Sequence, residues 1–176
     1  GLCAALALPE PPEPPSGPVE PNLPDPPGRG GLKTPNRIVM THEGNLLVAD
    51  PPSNAIVYVS AGSLASVASL DLGYRPHGLA LMADRIYVGN GTSGVVDVFD
   101  ARDGSHVSAL AAPGLAMPSD IATDDTAGLI FVSDVRQGLV FVFDTAGALV
   151  RTIASTGTAD NQLFAPMGLA VDPAAQ

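Results

Sequence analysis

Apolar residues in this chain come in short runs that recur with a constant phase. Each copy opens on a proline followed by an apolar residue three places on, at Pro35/Ile38, Pro76/Leu79, Pro118/Ile121 and Pro166/Leu169. In the three complete copies a second run ends on Asp or Asn: Leu47–Asp50, Tyr87–Asn90 and Phe131–Asp134. A third run closes nine residues later each time, at Val59, Phe99 and Phe143. Val, Ile, Phe and Tyr crowd the runs at 37–41, 46–49, 55–59, 78–82, 85–89, 95–99, 128–133 and 139–143, and these residues favour strands. Glu43-Gly44-Asn45, Arg102-Asp103-Gly104 and Ala146-Gly147 fall between runs, where hairpin turns need residues that tolerate positive φ. No stretch carries helical spacing between caps. The runs are continuous rather than alternating, as when both faces of a sheet are covered.

A repeat of about forty residues built from short strands is the pattern of a β-propeller blade. The expectation is an all-β fold: a β-propeller fragment with three four-stranded blades, at about 35–75, 76–117 and 118–165. The first strand of a fourth blade follows at 166–176. Ile38, Leu79, Ile121 and Leu169 are predicted on the innermost strands. A six-bladed ring would need roughly 250 residues, against the 176 present. The chain therefore reads as part of a ring, with end blades that expose apolar faces their neighbours should cover.

The copies resemble NHL repeats, a family of propeller blades. The third copy carries the likeness best, in Pro118-Ser-Asp-Ile-Ala-Thr-Asp, Leu129-Ile-Phe-Val-Ser-Asp134 and Leu139-Val-Phe-Val-Phe-Asp144. The stretch Gly157-Thr-Ala-Asp-Asn-Gln-Leu-Phe164-Ala-Pro166-Met-Gly-Leu-Ala-Val-Asp172 looks like that family's blade-to-blade junction. The second copy, with Arg85-Ile-Tyr-Val-Gly-Asn90 and Gly94-Val-Val-Asp-Val-Phe-Asp100, is similar to the related YVTN blades of surface-layer proteins. The resemblance covers about 33–176 and implies a propeller in either case.

Residues 1–32 are a different material. Ten of the chain's 18 prolines lie there, at a density that favours extended polyproline II and a spacer role. Before the prolines, Leu2–Leu8 reads as a signal-peptide remnant with Ala5-Leu6-Ala7 as an A-x-A cleavage site. Cys3 is a candidate lipoprotein site, although Leu2 stands where a small residue is usual. These features point to an extracytoplasmic protein (secreted, periplasmic or on the cell surface), with a membrane tether upstream and no transmembrane segment here. Net charge bounds the partners further. Eighteen acidic residues face eight basic ones, for −10, and the arginines are scattered singly. That excludes the basic stripe that phosphate binding requires, so no nucleic acid is expected. A single cysteine rules out an internal disulfide and any Cys-based zinc site.

Candidate chemistry follows from blade geometry. The start of a blade's first strand and the end of its second lie on the same rim. Asn36, Arg37, Asp50, His77, Gly78, Asn90, Ser119, Asp120 and Asp134 should therefore gather around one mouth of the central channel. A polar funnel of this kind suits a small ligand, a metal ion or a peptide end. The recurring Asp50, Asn90 and Asp134 also suit turn capping through side-chain-to-backbone hydrogen bonds, and recurrence favours that reading. Arg37, His77 and Asp120 differ between blades and are the stronger ligand-binding candidates. His42 and His106 fall in hairpin regions and are expected to be solvated. Asp97 interrupts an apolar run where the other copies have Val57 and Phe141, and reads as structural with a partner.

The reading that results is a non-catalytic binding or scaffold propeller recognising a protein or carbohydrate partner on one disc face, without a cofactor. The alternative is a metal-dependent hydrolase or lyase in the channel. The resemblance to gluconolactonase-like propellers would make Asn90, Asp120 and Asp134 ligands for calcium or zinc, but that family's site includes a glutamate, and Glu43 is in a turn. Amidating-lyase-like propellers use several channel histidines, and the mouth offers only His77.

Overall fold

The structure, a computed structural model, describes residues 32–172. The leader, Cys3 and nearly all of the proline linker lie outside the described residues. Three four-stranded antiparallel sheets follow one another along the chain, each with its strands in sequence order. The first holds β1 (Arg37–Met40), β2 (Leu46–Asp50), β3 (Ala55–Val59) and β4 (Ser66–Asp71). The second holds β5 (Pro76–Met82), β6 (Arg85–Asn90), β7 (Val95–Asp100) and β8 (His106–Leu110). The third holds β9 (Pro118–Asp124), β10 (Leu129–Asp134), β11 (Leu139–Asp144) and β12 (Leu149–Ile153). Gly44, Gly104 and Gly147 take the left-handed φ that the expected turns demand (83°, 71° and 85°).

The registers repeat as well as the strands. Val48 pairs with Val57, Val88 with Asp97 and Val132 with Phe141, so these pairs hold equivalent places in the three blades. A bulge recurs between the third and fourth strands of every blade, at Tyr58/Val59, Val98/Phe99 and Val142/Phe143. Bulges add right-handed twist, so each outer strand is skewed in the same way.

Two apolar seams join the sheets. In the first, Leu47, Ala49, Ile56 and Tyr58 of one blade meet Leu79, Ile86, Val88 and Phe99 of the next. In the second, Ala80, Met82, Tyr87, Val96 and Val98 meet Ile121, Ile130, Val132, Phe141 and Phe143. Successive side chains along a strand point to opposite faces, so the middle blade needs apolar residues at almost every position. That is the physical reason its runs are continuous rather than alternating.

The inner strands β1, β5 and β9 adjoin one another, with Ile38, Leu79 and Ile121 on them as expected. Leu169 differs. Pro166 onward forms no ladder, because a blade's first strand pairs with its own second strand and none follows among the described residues. The segment instead lies beside β9, where the Leu169 N–H donates to Asp120 (2.8 Å) and the Pro166 carbonyl accepts from Ser119 Oγ (2.8 Å). Before it, β13 (Ser155–Thr156) and β14 (Gln162–Leu163) pair in parallel.

Candidate functional site

Each blade's first strand puts one residue at the mouth directly before its apolar anchor. These equivalent residues are Arg37, Gly78 and Asp120, preceding Ile38, Leu79 and Ile121. Gly78 has no side chain, and the residues on either side reach across the gap. Arg37 Nε donates to Asp120 Oδ1 at 2.7 Å, an ion pair from the first blade to the third. The rest of the guanidinium donates to the carbonyls of Asn36 (2.8 Å), Ser119 (3.2 Å) and Met167 (2.5 Å). A Cβ on Gly78 would lie 2.8 Å from Ile121 Cγ1 and 3.1 Å from the Asp120 backbone. Glycine is required there for β5 and β9 to approach. The mouth therefore holds a clasp that ties β1, β9 and the segment after Pro166 together.

Asp50 and Asp134 end the second strands of their blades and are buried. Asp134 Oδ1 accepts the N–H groups of Arg136 (2.8 Å) and Gln137 (2.9 Å), which closes an Asx turn. Its Oδ2 accepts those of Ala116 (2.6 Å) and Met117 (2.9 Å), just before the blade-opening Pro118. Asp50 repeats the second half of this pattern, taking the Lys33 and Thr34 N–H groups (3.1 and 2.8 Å) before Pro35. Ser53 Oγ adds a bond at 2.6 Å. Burial alone would push the Asp50 carboxyl up, but the Ser53 hydroxyl and the Thr34 and Lys33 N–H groups outweigh it and hold it below its usual range.

Asn90 departs from this arrangement. Its Oδ1 closes the turn onto Thr92 and Ser93 (3.1 Å each), but its Nδ2 donates to Asp97 Oδ2 at 3.0 Å. An amide has one acceptor atom where a carboxylate has two, so it cannot both close the turn and take a second pair of N–H groups.

His77 stands one residue earlier than Arg37 and Asp120 in the repeat, level with Asn36 and Ser119. Its ring lies against Gly91, where a Cβ would approach Cδ2 to 2.7 Å. Asn36 Nδ2 donates to its carbonyl at 3.4 Å. Burial, then the charges of Arg75 and Arg37, hold the imidazole below its ordinary pKa. The structure thus joins Arg37 to Asp120 with His77 beside them, and ties Asp50 and Asp134 to the segments that lead into the blade-opening prolines. Among the described residues no three His, Cys, Asp or Glu side chains form a set able to hold a metal ion.

Two features differ from the sequence reading. His106 opens β8 instead of lying in a free hairpin, with Nε2 3.3 Å from Asp97 Oδ1. Tyr58 takes the Asn45 side-chain amide at 2.6 Å across a buried contact that no repeat pattern marks. The polar break at Asp97 was the one available signal for the first feature.

No protein-family model and no curated protein matches the sequence. Solved structures do. Hydrazine synthase of Kuenenia stuttgartiensis superposes with a TM-score of 0.62 and 20% identity, over 80% of this chain and 39% of that one. Virginiamycin B lyase from Staphylococcus aureus gives 0.55 and 11% identity over 64% of this chain and 39% of that one. A streptogramin B lyase gives 0.56 and 12% identity over 66% and 39%. The chain spans about two-fifths of the length of each (39%). At these identities the likeness shows the fold alone, and that fold is the β-propeller.

Proposed function

We propose that the chain belongs to a non-catalytic binding propeller of the NHL type, working outside the cytoplasm, whose mouth-side disc face recognises a protein or carbohydrate partner. The observation that carries this reading is the clasp. Arg37 and Asp120 are engaged with each other and with backbone groups, and both oxygens of Asp134 accept backbone N–H groups. Polar groups used in this way stiffen a face instead of attacking a substrate. A rigid face loses little conformational freedom when a partner docks. The NHL assignment rests on the repeat residues, and the location rests on the proline spacer and the Leu2–Leu8 run.

The metal-dependent alternative requires Asn90, Asp120 and Asp134 to converge on one ion, whereas Asn90 bonds to Asp97, Asp120 to Arg37 and the Leu169 N–H, and Asp134 to four backbone N–H groups. The test is binding of the purified chain to immobilised peptide and glycan panels, with calcium and zinc added in parallel melts. Selective binding to one class, weakened by His77→Ala and unaffected by either ion, is the expected result. A melting temperature that rises by several degrees with calcium or zinc, and no longer does so in Asp134→Ala, would refute the scaffold reading, since a tight ligand stabilises by mass action.

A further inference from the structure

The N–H groups that lead into a blade-opening proline meet a carboxylate in the first and third blades. Asp50 accepts those of Lys33 and Thr34, and Asp134 those of Ala116 and Met117. The equivalent residue of the second blade is Asn90, whose Nδ2 is a donor and bonds to Asp97 (3.0 Å). The lead-in to Pro76 therefore receives no carboxylate, and it carries Arg75 where the others have Thr34 and Met117. His77 follows where they have Asn36 and Ser119. Positive charge stands at the one lead-in of the three that lacks an anion.

Both side chains are free to receive one. Arg75 is exposed, and its guanidinium has no carboxylate partner among the described residues. The His77 ring is seated over Gly91, where the other blades have Pro51 and Val135. A Cβ there would lie 2.7 Å from Cδ2 and 2.8 Å from Nε2, so the glycine makes room for the ring. The His77 carbonyl accepts from Asn36, whereas its ring nitrogens bond to no described residue. Burial, then the charges of Arg75 and Arg37, make the ring harder to protonate, so a positive field acts on it. Neighbouring carboxylates are already engaged. Asp120 takes Arg37 and the Leu169 N–H, and Asp71 takes the Gly73 N–H. Much of the net charge of −10 lies on the opposite rim, at hairpin residues Asp84, Asp100, Asp103, Asp124, Asp125 and Asp144. Apolar ground adjoins the positive groups. Met117 Cγ lies 3.6 Å from the same Gly91 Cβ position, and Met167, whose carbonyl accepts from Arg37, is 66% exposed.

We propose that the mouth face binds an acidic peptide, with a carboxylate held by Arg75 and His77 and an apolar side chain resting on Met117 and Met167. The inference rests on the reading of this face as a docking surface, and names the chemistry of its partner. A guanidinium offers paired N–H donors that match both oxygens of a carboxylate, and a neutral imidazole adds one more. The first and third blades show that a carboxylate is what the fold seats at a lead-in. One arginine and one histidine do not make the basic stripe that a phosphate backbone requires, whereas a carboxylate carries a single charge. Methionine adapts to side chains of varied shape, which suits a peptide more than a sugar.

The test follows the NMR signals of the His77 ring in the whole chain. The probes are N-acetylated tripeptides: Ala-Asp-Leu as its amide, Ala-Ala-Leu as the free acid, and the uncharged Ala-Asn-Leu amide. At least one of the two acids should shift the signals and raise the pH at which the ring titrates, because an adjacent negative charge favours the imidazolium. Which acid acts tells an acidic side chain from a chain end. The uncharged peptide should do neither. Arg75→Gln should weaken acid binding by about tenfold or more and leave the melting temperature unchanged. Arg136→Gln removes an exposed charge from the β10–β11 turn on the same rim, and should leave binding intact. Equal losses from the two variants would reduce the effect to net charge and overturn the proposal. A ring that ignores both acids would overturn it too, as would a response to methyl galacturonoside but to no peptide. Panel binding that is lost in His77→Ala yet indifferent to carboxylates would sink this inference alone. A panel with no binder would refute the binding propeller itself.

Discussion

At the scale of single residues, the same carboxylate does more work than a turn needs. Asp134 satisfies four backbone N–H groups, two in its own turn and two in the segment leading into β9. Asp134→Ala should therefore destabilise by about 2–4 kcal/mol, above the ~0.5–2 kcal/mol of a single side-chain cap. Asp134→Asn should lose about half of that, because one amide oxygen can serve only one pair. Chemical denaturation of the three proteins checks the order. Asp50 adds a pH dependence. Its carboxyl binds a proton less readily in the folded chain than in the unfolded one, so its contribution is complete above the unfolded value of roughly 3.9 and is lost as pH falls below it. Asp50→Asn should flatten the acid limb of stability against pH; an unchanged acid limb would show that the Ser53, Thr34 and Lys33 bonds do not favour the charged form. Recurrence at 50, 90 and 134 made the capping role legible in the sequence. The second pair of N–H groups was not, because their donors lie 16–18 residues upstream and share no residue type.

At the scale of the elements, the strands that sequence marks best are the middle strands of each blade, largely buried on both faces. β2, β3, β6, β7, β10 and β11 fall within a residue of their apolar runs. The outer strands β4, β8 and β12 escaped the pattern. His106–Leu110 and Leu149–Ile153 are exposed along most of their length, so nothing forces apolar residues onto them. β9 was also faint, since Pro118–Asp124 carries polar Ser119 and Asp120 for the clasp. Two glycines show how closely the inner strands meet. A Cβ on Gly89 would lie 2.7 Å from the Pro118 carbonyl oxygen and 2.8 Å from the Gly78 nitrogen, both backbone atoms. At Gly78 the tightest contact is the Ile121 side chain, at 2.8 Å, with Asp120 backbone at 3.1 Å. A side chain can turn aside more readily than a strand can move. Both alanine variants should destabilise, and Gly89→Ala by more, with overpacking of this kind costing about 1–3 kcal/mol. Equal losses in thermal melts would mean that the strands, not the side chains, take up the strain at both places.

At the scale of the whole molecule, one repeat position has two fates. Leu79 and Ile121 are 2% and 4% exposed because the trailing face of the preceding blade covers them. Ile38, their equivalent in the first blade, is 59% exposed, and Met40 on the same strand is 67% exposed. The centre of that face is better covered, with Val48, Val57 and Val59 all buried, so the opening is at its inner edge. At the other end Phe164 and Met167 are 76% and 66% exposed. Apolar surface of this sort drives association or binds hydrophobic dyes. The chain should therefore light up such a dye while still folded, which fluorescence at room temperature measures. The decisive comparison is one substitution made twice. Ile121→Asp would bury an unpaired carboxylate in a seam and should unfold the chain or lower its melting temperature steeply. Ile38→Asp should leave the melting temperature almost unchanged and reduce dye binding and self-association. If Ile38→Asp instead unfolds the chain as Ile121→Asp does, then something covers β1 as one blade covers the next, and the open edge is filled in solution.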